Sequence, residues 1–82
     1  MEYFLITFSS THTAIAAQNY LKGKATFYVM PTLRQISSSC GISVKITSVP
    51  YEEIRRLMEQ FPADEDMYRI YRIQGEQITE MK

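Results

Sequence analysis

The feature that most constrains this chain is a short apolar and aromatic run near its beginning, Tyr3-Phe4-Leu5-Ile6-Thr7-Phe8. A run of this length is too short for a typical helix. Its aromatic and β-branched residues are typical of a strand that is covered on both of its faces. We therefore predict that residues 3–8 form the central strand of a sheet.

Two segments have the pattern of helices. Residues 13–21 are small and helix-favouring, with Ser10 or Thr11 available as the N-cap and Gly23 as the stop. The second helix is predicted to begin at Pro50 and to end before Pro62. Its apolar residues follow the spacing of one helical face: Ile54, Leu57, Met58 and Phe61.

Three further segments have the pattern of strands, namely residues 26–30, 41–47 and 67–73. The polar residues 31–40 between the second and third strands are predicted to form a loop. Residues 74–82 are predicted to form a polar, frayed C-terminal tail.

The resulting order of elements, βαββαβ, predicts an α+β fold of the ferredoxin-like type. Two right-handed crossovers place both helices on one face of a four-stranded antiparallel sheet, with the strand order 4-1-3-2. Residues 1–73 are expected to form a single domain, because 82 residues with 45% apolar content can build one small core.

Composition excludes several classes of function. Nine basic residues balance nine acidic ones, so the chain has no electrostatic footprint for a nucleic acid or an anionic membrane. One cysteine cannot form an internal disulfide or complete a protein-only structural zinc site, so we expect no metal and no bound cofactor. The acidic Glu2 does not suit a signal peptide, and we expect a cytoplasmic protein.

The lone Cys40 is the strongest candidate for a functional residue. It follows Ser37, Ser38 and Ser39 and precedes Gly41, a setting that suits a reactive thiol better than a packed one. A second hydroxyl-rich run, residues 9–13, lies where the first strand passes into the first helix. In the predicted topology the first and third strands are neighbours, so the two runs are expected to lie side by side.

This arrangement predicts a site that stabilises an anion. The first helix would direct its positive dipole end towards the cysteine loop, and Arg34 and His12 are the nearest cationic candidates. Gly41 permits a positive φ, which would let the amides of residues 38–41 form an anion-binding concavity. Besides Cys40, the predicted site residues are Ser9, Ser10, Thr11, His12, Arg34, Ser38, Ser39 and Gly41.

Each of these residues also has a simpler interpretation. A free cysteine is more often a small buried residue than a nucleophile. His12 in the first turn of a helix is usually a solvated side chain, and residues 9–11 most often serve as helix caps. Arg34 is more often an exposed loop residue than the partner of a thiolate.

Two stretches of the sequence, residues 8–22 and 30–46, carry a resemblance to a known family. At FSSTHTAIAAQNYLK and MPTLRQISSSCGISVKI the chain resembles the small domains described as putative selenium/sulfur carrier proteins. The resemblance implies a cytoplasmic prokaryotic protein in which Cys40 carries sulfur or selenium as a persulfide or selenopersulfide. It also implies donor and acceptor enzymes as partners. The Cys-Pro-x-Pro motif of the established small sulfur carriers is not present.

Two alternatives remain open at this point. The first is a binding or dimerisation module that uses the sheet face away from the helices, where Tyr3, Leu5, Tyr28 and Tyr71 would form an open aromatic surface. The second is a cysteine-dependent enzyme, which needs a base beside the thiol and a group that orients the base. His12 is the only imidazole in the chain, so the enzyme is the weaker of the two alternatives.

Overall fold

A computed structural model of the chain describes residues 2–33, 36 and 41–81. Within these residues the chain forms two α-helices and a sheet of five strands. The elements in chain order are β1 (Glu2–Phe8), α1 (Thr11–Leu21), β2 (Phe27–Pro31), β3 (Ile42–Ile46), α2 (Tyr51–Glu59), β4 (Tyr68–Gln74) and β5 (Gln77–Met81), with a short 3₁₀ helix at Glu65–Met67 before β4.

The strand β1 is the centre of the sheet, as the apolar run predicts. It pairs with β3 on one side and with β4 on the other, both antiparallel. Leu5 and Ile6 point to opposite faces of the sheet, and both side chains are fully buried. The prediction of a central strand covered on both faces is therefore confirmed.

The described sheet has the order β2-β3-β1-β4-β5, and all of its pairings are antiparallel. The α+β class with two helices is confirmed for the described residues. The prediction of a four-stranded sheet was wrong, because 4-1-3-2 describes only the first four strands and a fifth strand lies beside β4.

The fifth strand replaces the frayed tail that was expected after residue 73. Gln74 pairs with Gln77, so β4 and β5 are joined by a two-residue turn at Gly75 and Glu76. Gly75 has φ of 58°, a conformation that a glycine adopts at the first position of such hairpin turns without steric cost. Ile78 of β5 lies opposite Ile73 and is half-buried against it, which adds an apolar contact to the backbone pairing.

Both helices pack on one face of the sheet, which we call the helix face. Ser10, one of the two predicted caps, is the N-cap of α1. Its hydroxyl accepts a hydrogen bond from the Thr13 amide. The Tyr20 hydroxyl donates to the Leu57 carbonyl at 2.7 Å and so joins α1 to α2. The main core lies between these layers and comprises Phe4, Ile6, Phe8, Ala14, Ala17, Leu21, Val44, Ile46, Ile54, Met58, Phe61 and Ile70.

The opposite side of the sheet, which we call the far face, has a smaller core of its own. Ile36, from the loop between β2 and β3, packs with Leu5 and Ile73 and is only 7% exposed. Ile36 therefore covers the centre of the far face. Apolar side chains on one side of a sheet are normally buried by whatever element can reach them, and here that element is a loop.

This cover corrects the prediction of an open aromatic surface on the far face. Leu5 is fully buried, and Tyr3 and Tyr71 are half-buried. The Lys45 ammonium lies 4.5 Å from the centroid of the Tyr3 ring and covers part of that ring as well. Tyr28 remains exposed at 57%, but it belongs to the edge strand β2.

Among the described residues no helix is long and apolar enough to cross a lipid bilayer.

Candidate functional site

The two hydroxyl-rich segments approach each other at one end of the sheet, which we call the rim. In the pairing of β1 with β3, Thr7 lies opposite Ser43. One step further, the same register brings Phe8 level with Ile42 and Ser9 level with Gly41. The predicted proximity of residues 8–10 to the start of β3 thus follows from the observed register.

The residues that lead into α1 have structural partners of their own. The Ser9 amide donates to the Met67 carbonyl at 2.9 Å, which extends the β1–β4 pairing by one residue. The Ser9 hydroxyl is 3.4 Å from the Met67 sulfur, and the Ser10 hydroxyl is 2.9 Å from that of Thr13. The interpretation of Ser10 as a helix cap is therefore confirmed.

Thr11 and His12 form the start of α1, and both are exposed to solvent. The positive end of the helix dipole therefore lies at the rim. The exposed His12 imidazole is free of burial constraints and can turn towards solvent. The position of His12 agrees with a solvated side chain and also with a cationic group beside the cysteine loop.

The ends of the loop that contains the cysteine are fastened to each other. The Thr32 amide donates to the Gly41 carbonyl at 3.0 Å, and the Thr32 hydroxyl is 2.7 Å from the Ser43 hydroxyl. The sequence analysis did not single out Thr32 or Ser43. These contacts hold the residues on both sides of segment 33–40 in a fixed relation, and the carbonyl of Gly41 directly follows Cys40 in the chain.

Ser43 belongs to a buried row of hydroxyl groups on the far face. Thr7 is 3% exposed and Ser43 is fully buried, although both side chains are polar. Burial raises the pKa of the Tyr71 phenol, as does the negative charge of Glu80, while Arg69 and a hydrogen bond with Thr7 act in the opposite direction. Buried hydroxyls without partners would be costly, so contacts between these side chains stabilise this side of the sheet.

Four of the predicted site residues, Arg34, Ser38, Ser39 and Cys40, lie outside the described residues. Gly41 is described, and it corrects one expectation. Its φ does not lie in the positive range, in contrast to Gly23 and Gly75. The concavity of amides that was expected from a left-handed Gly41 therefore lacks its geometric basis.

The described part of the rim offers neutral hydrogen-bond donors and the positive end of a helix. Within the described ranges, no three side chains of His, Cys, Asp or Glu come together as a possible metal site. Hydroxyl groups and a helix N-terminus are suited to solvate an anion.

A groove of about 420 Å³ lies between α2 and the β4–β5 hairpin. Tyr51 and Arg55 of α2 form one wall, and Tyr68, Ile70 and Met81 line it from the sheet. The sequence analysis missed this groove because it missed β5. The Gly75-Glu76 pair between Ile73 and Ile78 is the hairpin signal that could have revealed the strand.

Comparison with known protein families supplies one match. The family model described as "Putative Se/S carrier protein-like" matches residues 3–72, a range that contains β1 to most of β4 and the loop with Cys40. The residue range agrees with the two stretches on which the resemblance was based. No curated protein and no solved structure matched the chain.

Proposed function

Because the chain belongs to the family of putative Se/S carrier protein-like domains, we propose that it carries a sulfur or selenium atom on the Cys40 thiol. The observation that carries this proposal is the family match over residues 3–72, which includes the only cysteine of the chain. A carrier needs one accessible nucleophile and no catalytic base, and Cys40 is the one thiol of the chain.

The transfer step needs no external oxidant. The Cys40 thiolate attacks the terminal sulfur of a persulfide on a donor enzyme, and a new S–S bond forms to Cys40. The S–S bond within the donor persulfide breaks at the same time, and the donor cysteine leaves as a thiolate with the electron pair. Cys40 then holds a persulfide. Delivery repeats the exchange, with an acceptor thiolate attacking the terminal sulfur and Cys40 leaving as the thiolate.

The same exchange applies to selenium when the donor holds a selenopersulfide. Both products are anions near neutral pH, because a persulfide and a selenopersulfide are more acidic than a thiol. The positive end of α1 at the rim supports such an anion, and the proposal assigns the same role to Arg34 and His12.

The fastened ends of the loop also support the proposal. A thiol that passes between two partner enzymes has to be presented in a defined position. The contacts of Thr32 with Gly41 and Ser43 hold together the residues on either side of segment 33–40, and Ile36 within this segment packs on Leu5. The compartment required is one that keeps thiols reduced, in agreement with the predicted cytoplasmic location.

The direct test is incubation with a cysteine desulfurase and cysteine, followed by mass spectrometry of the intact protein. Wild type is expected to gain one sulfur atom, and Cys40→Ser is expected to gain none. Ser38→Cys in the Cys40→Ser background is the matched control, because it keeps one thiol in the same loop. Equal loading of wild type and this control would refute a specific role for position 40.

A second measurement concerns the reactivity of the thiol before loading. The rate of alkylation of Cys40 is expected to reach half its maximum below about pH 8.5, the ordinary value for a cysteine side chain. A midpoint at or above that value would argue against electrostatic activation at the rim. Repeating the loading with a selenium donor would show which of the two elements the protein accepts.

A further inference from the structure

The two edges of the described sheet differ in how they are protected. Natural edge strands usually carry charged residues or proline that prevent pairing with another chain. The edge strand β5 contains Glu80 and is followed by Lys82 in the sequence. The other edge strand, β2, reads Phe27-Tyr28-Val29-Met30-Pro31 and contains no charged residue. Tyr28 is 57% exposed and Val29 is 51% exposed.

The hydrogen-bonding direction of β2 follows from its contacts with β3. The Thr32 amide donates to the Gly41 carbonyl, so Thr32 and Gly41 are a hydrogen-bonded pair. Hydrogen-bonded pairs alternate along an antiparallel ladder, and the register from Phe27 to Pro31 is continuous. Tyr28 and Met30 therefore direct their backbone groups to β3. The amides and carbonyls of Phe27 and Val29, and the carbonyl of Pro31, point outwards.

We propose that β2 pairs with β2 of a second copy of this chain, antiparallel and around a two-fold axis at Val29. In this register Val29 exchanges both of its outward hydrogen bonds with Val29 of the second copy. The Phe27 amide donates to the Pro31 carbonyl of the second copy, and the symmetric bond forms in return. The two sheets then become one continuous sheet, with the helices of both copies on the same face.

The position of Pro31 supports this choice of partner and register. Proline has no amide to donate, and in β2 it occupies a position whose amide would point outwards. In the proposed register its carbonyl is still used, so the proline removes one donor at each end and leaves the centre of the interface intact. Moving the axis towards Pro31 would place the proline at or next to the centre of the interface. Moving the axis in the other direction would remove the hydrogen bond between the Pro31 carbonyl and the Phe27 amide.

The side chains are also compatible with a second copy. Tyr28 would lie beside Met30 of the second copy on the far face, and Phe27 would lie beside Pro31 on the helix face. Neither pairing brings like charges together. An interface of five residues per copy is smaller than the roughly 1,200 Å² at which stable complexes begin, so we expect a weak dimer with a Kd on the order of tens of micromolar.

The first test changes the charge at the axis. Sedimentation of wild type over a concentration series is expected to show a monomer–dimer equilibrium. In Val29→Lys two ammonium groups would lie directly opposite each other, so the Kd is expected to rise at least about tenfold. Ile15→Lys is the matched control, because Ile15 is equally exposed at 51% and lies on the outer face of α1. It is expected to dimerise like wild type.

The second test examines the register directly. Directly opposite residues of a hydrogen-bonded pair have Cα atoms about 5.5 Å apart, a distance that a disulfide can bridge. In the Cys40→Ser background, Val29→Cys is therefore expected to form a covalent dimer on mild oxidation. Tyr28→Cys, which has similar exposure but lies opposite Met30 of the second copy, is expected to cross-link much more slowly.

Three outcomes would overturn the proposal, and none of them bears on sulfur transfer. Wild type that stays monomeric at about millimolar concentration would exclude the second copy, and the edge would then be open to an extended peptide of another protein. Equal dimerisation of Val29→Lys and Ile15→Lys would show that the interface does not lie at β2. Equal cross-linking of Val29→Cys and Tyr28→Cys would refute the register.

Discussion

Ile36, from the same loop segment as Cys40, packs on the far face, and the contribution of this contact can be measured. Ile36 is 7% exposed and packs against Leu5 and Ile73. Replacing it with alanine removes three buried carbon atoms, at about 0.8 kcal/mol each by transfer free energy. Solvent can reach part of the space that is left, so the added cost of a cavity is small. We expect Ile36→Ala to lower the free energy of unfolding by about 2–3 kcal/mol.

Urea unfolding measures this loss, and Ile15→Ala is the matched control. Ile15 is 51% exposed, so the same change at that position is expected to cost less than about 0.5 kcal/mol. Limited trypsin digestion separates a detached loop from a globally weaker fold, because trypsin can cut after Arg34 within the loop. Cleavage at Arg34 is expected to be at least about tenfold faster in Ile36→Ala than in wild type.

A loss below about 0.5 kcal/mol in Ile36→Ala would refute the reasoning, because it would mean that the loop does not depend on this contact. An unchanged rate of cleavage at Arg34 would refute the prediction that this contact restrains the loop. If the large loss were found together with unchanged cleavage, Ile36 would stabilise the sheet without restraining the loop.

Two further predictions concern the polar groups of the far face. Ser43→Ala and Thr32→Val should each cost about 1 kcal/mol in urea unfolding because they break the same hydrogen bond, and the double variant should cost less than the sum of the two. Additive losses would contradict a direct interaction. Since burial raises the pKa of Tyr71, the folded protein binds more protons than the unfolded chain above about pH 10, and stability should fall as pH rises through this range. Tyr71→Phe should reduce this slope in urea unfolding between about pH 9 and 11. Equal slopes in wild type and Tyr71→Phe would contradict the assignment.

The candidate site could be predicted from the sequence only in part. The hydroxyl-rich start of α1 and its proximity to the start of β3 follow from local patterns and from one topological rule, and the observed register agrees with them. Thr32 and Ser43 were not predicted, because a threonine and a serine near strand ends are common and their contact joins two different strands. Gly41 does not adopt the positive φ on which the expected concavity of amides depended, since a glycine permits this conformation and does not require it.

The sequence by itself determined the central strand, both helices and the relative order of the first four strands. The strand and the helices depend on local patterns: the run from Tyr3 to Phe8, the apolar face of α2, and the hydroxyl of Ser10 as a cap. The strand order follows from the sequence of these elements and the rule of right-handed crossovers. These patterns act within a few residues, so they can be recognised without knowledge of the rest of the chain.

Only the tertiary structure decided the fifth strand and the cover of the far face. Residues 77–81 are mostly polar, and they become a strand because β4 offers them an unpaired edge across the turn at Gly75. Ile36 is an isolated apolar residue in a polar loop, and its burial depends on Leu5 and Ile73 being left uncovered by the helices. In both cases the stabilising partner lies on another element, so no local pattern could reveal it.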